Sequence, residues 1–458
     1  MKEATGSLQH QLALVYAIRQ VFTQSAETVG PVEEALQKTH LIGMVNHILS
    51  FASVEEEIYF MKLEALWLLI DLSMCDTDAT KLVCLSDLTI AESPPGLTMS
   101  TEDVARDFDR KKSELLLRLD KLLQEALSEP EGPDMKVVFM ALHFYANFAA
   151  SGPEYAHKLL RDTSVVHLCH HFVESKLITS FTDEMLGCVA RLIGQLASHC
   201  YQRPEEGDGD LSEEDTVEGK SNRALAGVLI CTAHAILETR DDADSRRWAI
   251  DALAKLAKKN TALHGPIASQ RTIAIIMDCL ESREPTAYKA ALKCLANLMS
   301  GEGDEVARWA IQGGLLPRAA EILSQGLVKD KKTMLWTLSN IAGSPDAELR
   351  QSVLEETLLM QQVVQLMSSA SSEEIRGEAA WVVTNLLTCG GAGDYQRGRF
   401  VQEMGSELIM QLVSLLKELP NQPAIQFEVL TAVARLLELD GASQAREATG
   451  HFRDHLPY

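Results

Sequence analysis

One apolar pattern recurs around eight positions of this chain and constrains its fold more than any other feature. The positions are Trp67, His143, Arg191, Asp251, Lys293, Trp336, Trp381 and Thr431; one place before them stand Leu66, Leu142, Ala190, Ile250, Leu292, Leu335, Ala380 and Leu430. Two places after stand Leu69, Tyr145, Ile193, Leu253, Leu295, Leu338, Val383 and Val433. Five places after stand Leu72, Phe148, Leu196, Leu256, Leu298, Ile341, Leu386 and Leu436. These offsets trace one stripe along a helix, while each anchor and the residue four later share a flank beside it. The stripe must be buried, and the flank is free to face something else.

From Asp251 to Lys293, Trp336, Trp381 and Thr431 the anchors advance by 42, 43, 45 and 50 residues. The first three intervals match armadillo or HEAT helical repeats, whose units bury their faces only by stacking. The expected fold is all-α: an armadillo-repeat, right-handed superhelical solenoid of about nine repeats over residues 1–458, with equivalent helices lining a concave groove. Gly152, Gly301 and Gly343 follow the stripes where a helix must stop, with Pro153 and Pro345 just beyond. "AIQGGLLPRAAEILS" (310–324) reads as a short helix, a Gly-Gly break and an amphipathic second helix, and "VQEMGSELIMQLVSLLKEL" repeats that layout.

Two intervals are long. Between Trp67 and His143, residues 76–132 read as an inter-repeat insertion whose charged amphipathic helix sets Val104, Phe108, Leu115, Leu119 and Leu122 on one side. Between Arg191 and Asp251, residues 203–222 are acidic and nearly free of apolar side chains, so a disordered loop is expected.

The chain carries 65 acidic against 42 basic residues, a formal net charge of −23, which disfavours a nucleic-acid partner and favours a basic peptide. The nine cysteines never form Cys-x-x-Cys; Cys188, Cys231, Cys279 and Cys294 fall in helical apolar patterns, which suits buried reduced thiols in the cytoplasm and nucleus. The most apolar stretch, "MKVVFMALHFYANFAASG", is interrupted by Lys136, His143 and Asn147, so no membrane span is expected. In "HLCHHF" (167–172) the His and Cys spacings do not converge on one metal, and "GDGDLSEED" (207–215) lacks the Gly and Glu of a calcium loop. No phosphate loop, nucleophile elbow or His-Glu-x-x-His motif occurs, so neither enzymatic activity nor a cofactor is expected.

Two anchors are tryptophans followed four residues later by asparagine, in "KTMLWTLSNIAGS" (332–344) and "EAAWVVTNLLTCG" (378–390). A carboxamide both donates and accepts, so it can bind a peptide group whatever side chain follows. An indole face beside it favours a cationic stem by apolar contact and cation–π attraction, worth about 0.5–2 kcal/mol per site. Packed helices lie about 8–10 Å apart and an extended peptide advances roughly 3.3 Å per residue, so neighbouring rungs meet side chains two or three positions apart.

"KAALKCLANLMSG", "MLWTLSNIAGS" and "EAAWVVTNLLTCGG" resemble third helices of importin-α, an armadillo adaptor for nuclear-localisation peptides, and "VLTAVARLLEL" resembles the next repeat. The match is best over 290–440 and fainter in "LVYAIRQVF" and "LEALWLLIDLS". The resemblance implies that Trp336, Asn340, Trp381 and Asn385 line the smaller of that family's two peptide sites, with Asn297 adjoining and Glu378 supplying negative charge. It implies a basic extended peptide or protein cargo, importin-β or an exportin as carrier, and nuclear import as function. At the larger site only Trp67 and Asn147 match, the three pairs reading Trp67/Asp71, His143/Asn147 and Arg191/Gln195, so that site is expected to be crippled or retuned. The only Lys and Arg residues within 1–60 are Lys2, Arg19 and Lys38, so no basic arm of that family's kind is expected there. Lys332 and Arg376 near the smaller site oppose a basic ligand. The alternative reading is a non-transport armadillo scaffold of a cytoskeletal, ciliary or organellar assembly, with a partner on the 97–128 helix or the N-terminal half.

Overall fold

The computed structural model describes residues 13, 16, 17, 19, 41–51, 56–75, 113–129, 132–200, 217–239, 241–282, 284–300, 303–368, 371–388, 408–417 and 423–439. These residues hold helices, turns and no strand. They divide into two compact units, Met1–Ala252 and Leu253–Tyr458.

The first unit contains α1 (Leu41–Leu49), α2 (Glu56–Cys75), α3 (Glu114–Leu127), α4 (Met135–Ala150), α5 (Pro153–Asp162), α6 (Val165–Glu174), α7 (Asp183–His199) and α8 (Val217–Thr239). The unit boundary falls inside α9 (Ala243–Lys259). The second unit continues with α10 (Gln270–Glu281), α11 (Pro285–Leu298), α12 (Asp304–Gln312), α13 (Leu315–Gln325), α14 (Val328–Ala342), α15 (Ala347–Glu355), α16 (Thr357–Leu366), α17 (Glu373–Thr388), a helix over 408–417 and α18 (Pro423–Leu439).

Local chemistry sets these boundaries. Ser113, Asp134, Thr182 and Ser269 cap α3, α4, α7 and α10 with side-chain oxygens that accept from first-turn N–H groups. Pro153 and Pro285 occupy first-turn positions, where a missing N–H costs nothing. Between α12 and α13, Gly314 adopts φ 91°, a left-handed conformation that the Gly-Gly break supplies without a Cβ clash.

In the second unit α12, α13 and α14 form one three-helix repeat and α15, α16 and α17 the next. Each helix packs on its equivalent, α12 on α15, α13 on α16 and α14 on α17, and α11 lies on the other side of α14. In the first unit α4 packs on both α2 and α7 in the same way. The architecture is an all-α solenoid of stacked helical repeats.

The predicted stripe is the core of both units. At offsets +2 and +5 every side chain is buried, from Leu69 and Leu72 in α2 to Val433 and Leu436 in α18. At offset −1 all are buried except Leu430, 46% exposed, with Phe427 also open at 68%.

Other expectations are corrected. The last part of the supposed insertion, α3, packs on α1, α4 and α5 and buries Leu115, Leu116, Leu119, Leu122 and Leu123, so it is a regular member of the stack. Val104 and Phe108 lie outside the described residues, as does Gly301. The acidic segment 203–222 ends inside α8, which begins at Val217; its earlier part lies outside the described residues. Cys188, Cys279 and Cys294 are buried thiols, but Cys231 is exposed. Among the described residues no helix is long and apolar enough to cross a membrane.

Because Leu338 is fully buried at the interface of stacked helices, truncating it removes transfer energy and leaves a cavity. Leu338→Ala is expected to lose about 2–5 kcal/mol of stability by denaturant unfolding, whereas Lys329→Ala, on the exposed face of the same helix, stays within about 0.5 kcal/mol.

Candidate functional site

The flank beside the stripe is half-exposed, as the pattern requires. Trp336 and Asn340 on α14, and Trp381 and Asn385 on α17, all retain partial access to solvent, and so do Asn297 on α11 and Glu378 on α17. Two side-chain contacts fix the register of α14 against α17. Near the helix starts Lys332 Nζ pairs with Glu374 at 2.9 Å, and near their ends Asn385 Nδ2 donates to the Ser339 carbonyl at 2.9 Å. The two helices thus run in step with offsets of 42 and 46, and Trp336 and Trp381, 45 apart, lie at matching levels between the two contacts.

The asparagines are not equivalent. Asn385 is tied to the preceding rung, and Gly343 lets it approach: a Cβ there would lie 3.3 Å from Asn385 Nδ2. Asn297 makes the same link one rung earlier, donating from Nδ2 to the Ala254 carbonyl at 2.8 Å. In both, the residue four after an anchor bonds the carbonyl three after the preceding anchor. Asn340 breaks the series, for its Nδ2 is buried without a hydrogen-bond partner. A buried unpaired donor is costly and rare, and one that opens toward a cavity can be satisfied by an incoming carbonyl.

Such a cavity is present. About 510 Å³ of space lies at the C-terminal ends of α11 and α14, lined by Met299, Asp304, Asn340, Ile341, Ser344 and Asn385 among others. Asp304 Oδ1 accepts from Ser344 Oγ at 2.6 Å, which holds the carboxylate at the rim. Asn297 and the two tryptophans are not among the lining residues. Asp304 and Ser344 were not legible as site residues; their signal is positional, since each follows the stop of a third helix and so lies beside the next rung.

The charges near Trp381 are acidic. Glu378 is pushed above the ordinary carboxylate range mainly by burial and also by Glu374, with Lys332 pulling the other way. Lys332 therefore opposes a basic ligand less than its charge suggests, because Glu374 already holds it. Arg376 is not displayed on this flank: it is 7% exposed, buried within α17's packed side.

In the first unit the flank is filled from within. Arg19 lies over the Trp67 ring at 5.2 Å from its centroid, and Phe139 meets the same indole edge-on at 6.5 Å. Trp67 thus presents no empty slot, contrary to the expectation for a peptide site. Asn147 is 8% exposed with its Nδ2 unpartnered, and Nδ1 of neighbouring His143 is likewise buried and unpartnered. Burial, then the Arg191 charge, hold His143 below its usual range.

No protein-family profile matches the chain, and no curated protein does. Among solved structures, an engineered protein is similar at TM-score 0.64 and 19% identity, over 97% of this chain and 92% of that one. A second engineered protein matches at TM-score 0.45 and 22% identity, over 59% of this chain and 97% of that one. A designed armadillo repeat protein in complex with the peptide (KR)4 matches at TM-score 0.39 and 19% identity, over 69% of this chain and 99% of that one. The likeness is one of fold: among the described residues, α12–α14 and α15–α17 are armadillo-like units of three helices, each stacked on its counterpart.

The asymmetry between the asparagines has a stability signature. Asn385→Ala removes an interrung bond and is expected to cost about 0.5–1.5 kcal/mol, while Asn340→Ala removes an unpaired donor and is expected to cost less or to stabilise. Chemical denaturation of the two variants side by side measures the difference; equal losses would contradict it.

Proposed function

We propose that the second unit binds an extended Lys/Arg-bearing segment of another protein along α11, α14 and α17, in the manner of an importin-α-like adaptor of the cytoplasm and nucleus. The observation that carries this reading is Asn340, whose buried amide N–H is unpaired, among the residues that line a cavity with Asp304, one helical turn from half-exposed Trp336 and at the rung beside half-exposed Trp381. The Asn340 N–H would donate to a peptide carbonyl, which fixes the ligand's main chain independently of its sequence. The indoles of Trp336 and Trp381 would take the stems of basic side chains, with Glu378 and Glu374 opposing their charge. The chain's negative net charge would steer such a ligand and raise its association rate at low salt. Asn385 supports the site by holding the rungs in register.

A second reading, an armadillo scaffold in a fixed assembly, is favoured by one observation, the internally filled flank at Trp67. Co-purification separates the two: exchangeable basic cargo with importin-β or an exportin supports transport, and a stoichiometric structural complex supports the scaffold.

A fluorescein-labelled Lys/Arg-rich peptide is expected to bind the wild-type protein in fluorescence anisotropy, and a charge-matched acidic peptide is not. Trp381→Ala combined with Asn340→Ala is expected to weaken binding by at least roughly tenfold, the equivalent of about 1.4 kcal/mol, with far-UV circular dichroism retained. Unchanged affinity in that variant would remove the reading.

Binding should also depend on pH through Glu378. Only the ionised carboxylate attracts a cation, and its affinity for a proton is raised in the free protein. Peptide affinity is therefore expected to be greatest when Glu378 is charged and to fall as pH drops, the decline setting in at higher pH than for an unshifted glutamate. Titration of Glu378→Gln should show a shallower decline.

A further inference from the structure

We propose that Glu64, Trp67 and Asp71 form a guanidinium-specific notch on the N-terminal unit, which the chain fills from within with Arg19. The three residues stand at i, i+3 and i+7 on α2 and therefore share one face of it. Arg19, helical like residues 13, 16 and 17, meets all three: its guanidinium lies 5.2 Å from the Trp67 ring centroid, Nη1 is 2.8 Å from Glu64 Oε2, and Nε is 3.5 Å from Asp71 Oδ2.

This geometry selects arginine over lysine. A planar guanidinium can lie against an indole while different nitrogens reach two carboxylates, whereas an ammonium is a single point charge on a flexible stem. The notch also requires a cation. Asp71 is held above the ordinary carboxylate range by burial; Arg19 offsets that and the charge of Glu64 adds to it. Without Arg19, two carboxylates on one helical face would repel each other across a half-buried indole. The filled notch remains open to solvent, with Arg19, Glu64 and Asp71 side chains 24%, 25% and 22% exposed, so a ligand could reach it. Phe139 packs against the same indole in a T-shaped arrangement at 6.5 Å.

The functional consequence is selectivity within the chain. An arginine from a bound segment gains nothing at Trp67 unless it displaces Arg19, so basic segments are directed away from this unit, and Arg19 is a specificity-determining residue.

The test is Arg19→Ala in the full chain, titrated with N-acetylarginine amide and followed by tryptophan fluorescence and thermal midpoint. Comparison with wild type cancels arginine bound elsewhere, including at Trp336 and Trp381, so the outcome is independent of the peptide site proposed above. A saturable response is expected in Arg19→Ala that wild type lacks, lost again when Glu64→Gln and Asp71→Asn are added, with N-acetyllysine amide weaker by roughly tenfold. No added response, or an equal response to the lysine compound, overturns the proposal. If Arg19→Ala does not fold, Arg19→Lys keeps the charge, and arginine amide is expected to displace the weaker lysine there with the same saturable signal; its absence overturns the proposal too.

Discussion

Everything in this molecule depends on burying one stripe of each third helix against its counterparts on the neighbouring rungs. No helix of some fifteen residues is stable alone in water, and an armadillo-like repeat has no private core. The stripe residues Leu335, Leu338 and Ile341 of α14 are buried because α11 and α17 cover them on two sides. That requirement also fixes what the stack can offer a ligand. Residues beside the stripe are carried to matching levels on successive rungs whether or not they contribute to stability, so a repeated pair such as Trp336/Asn340 and Trp381/Asn385 becomes a ladder without further design.

This explains which features were legible in the sequence. The stripe could be read because eight copies obey one rule, and burial at offsets +2 and +5 follows it throughout. Leu430 departs because a helical period says which face is apolar but not whether a neighbour arrives to cover it. The partial exposure of Trp336, Asn340, Trp381 and Asn385 was legible for the same reason as the stripe. What they bond was not. The Asn385 link to Ser339 and the Asn297 link to Ala254 depend on stacking register, which joins residues 46 and 43 positions apart and leaves no trace in local periodicity. Arg376 and Arg19 illustrate the same limit. Both are cations in helical runs, yet one is buried within α17 and the other lies over Trp67 of α2. Spacing between anchors likewise counted α3 as part of an insertion, because an interval gives the number of intervening residues but not which of them pack into the stack.

The two units answer one chemical problem differently. An exposed indole beside carboxylates attracts a cation, and in a protein with 65 acidic and 42 basic side chains the two units meet that attraction in different ways. In the N-terminal unit Arg19 lies over the Trp67 indole, and Phe139 packs against the same ring. In the C-terminal unit Lys332 pairs with Glu374 but leaves Glu378 partly desolvated, with its proton affinity raised. A filled notch gains stability and loses the capacity to bind. A half-compensated one keeps some electrostatic cost in the free protein, which a basic ligand can relieve.

The asparagines divide along the same line, and this gives the ladder a physical criterion for what is structural and what is free to act. A carboxamide with one N–H held by a carbonyl keeps a second N–H and its oxygen, but its plane is fixed by that bond, so a ligand must meet it where it stands. One whose N–H is buried and unpaired gains the full bond and also sheds a desolvation penalty. Asn340 is in the second state and Asn385 in the first, although each follows its tryptophan by four residues. Identical motifs on adjacent rungs thus have different energetic roles: Asn385 holds the rungs in register so that Asn340 and the cavity beside it are presented in a fixed geometry.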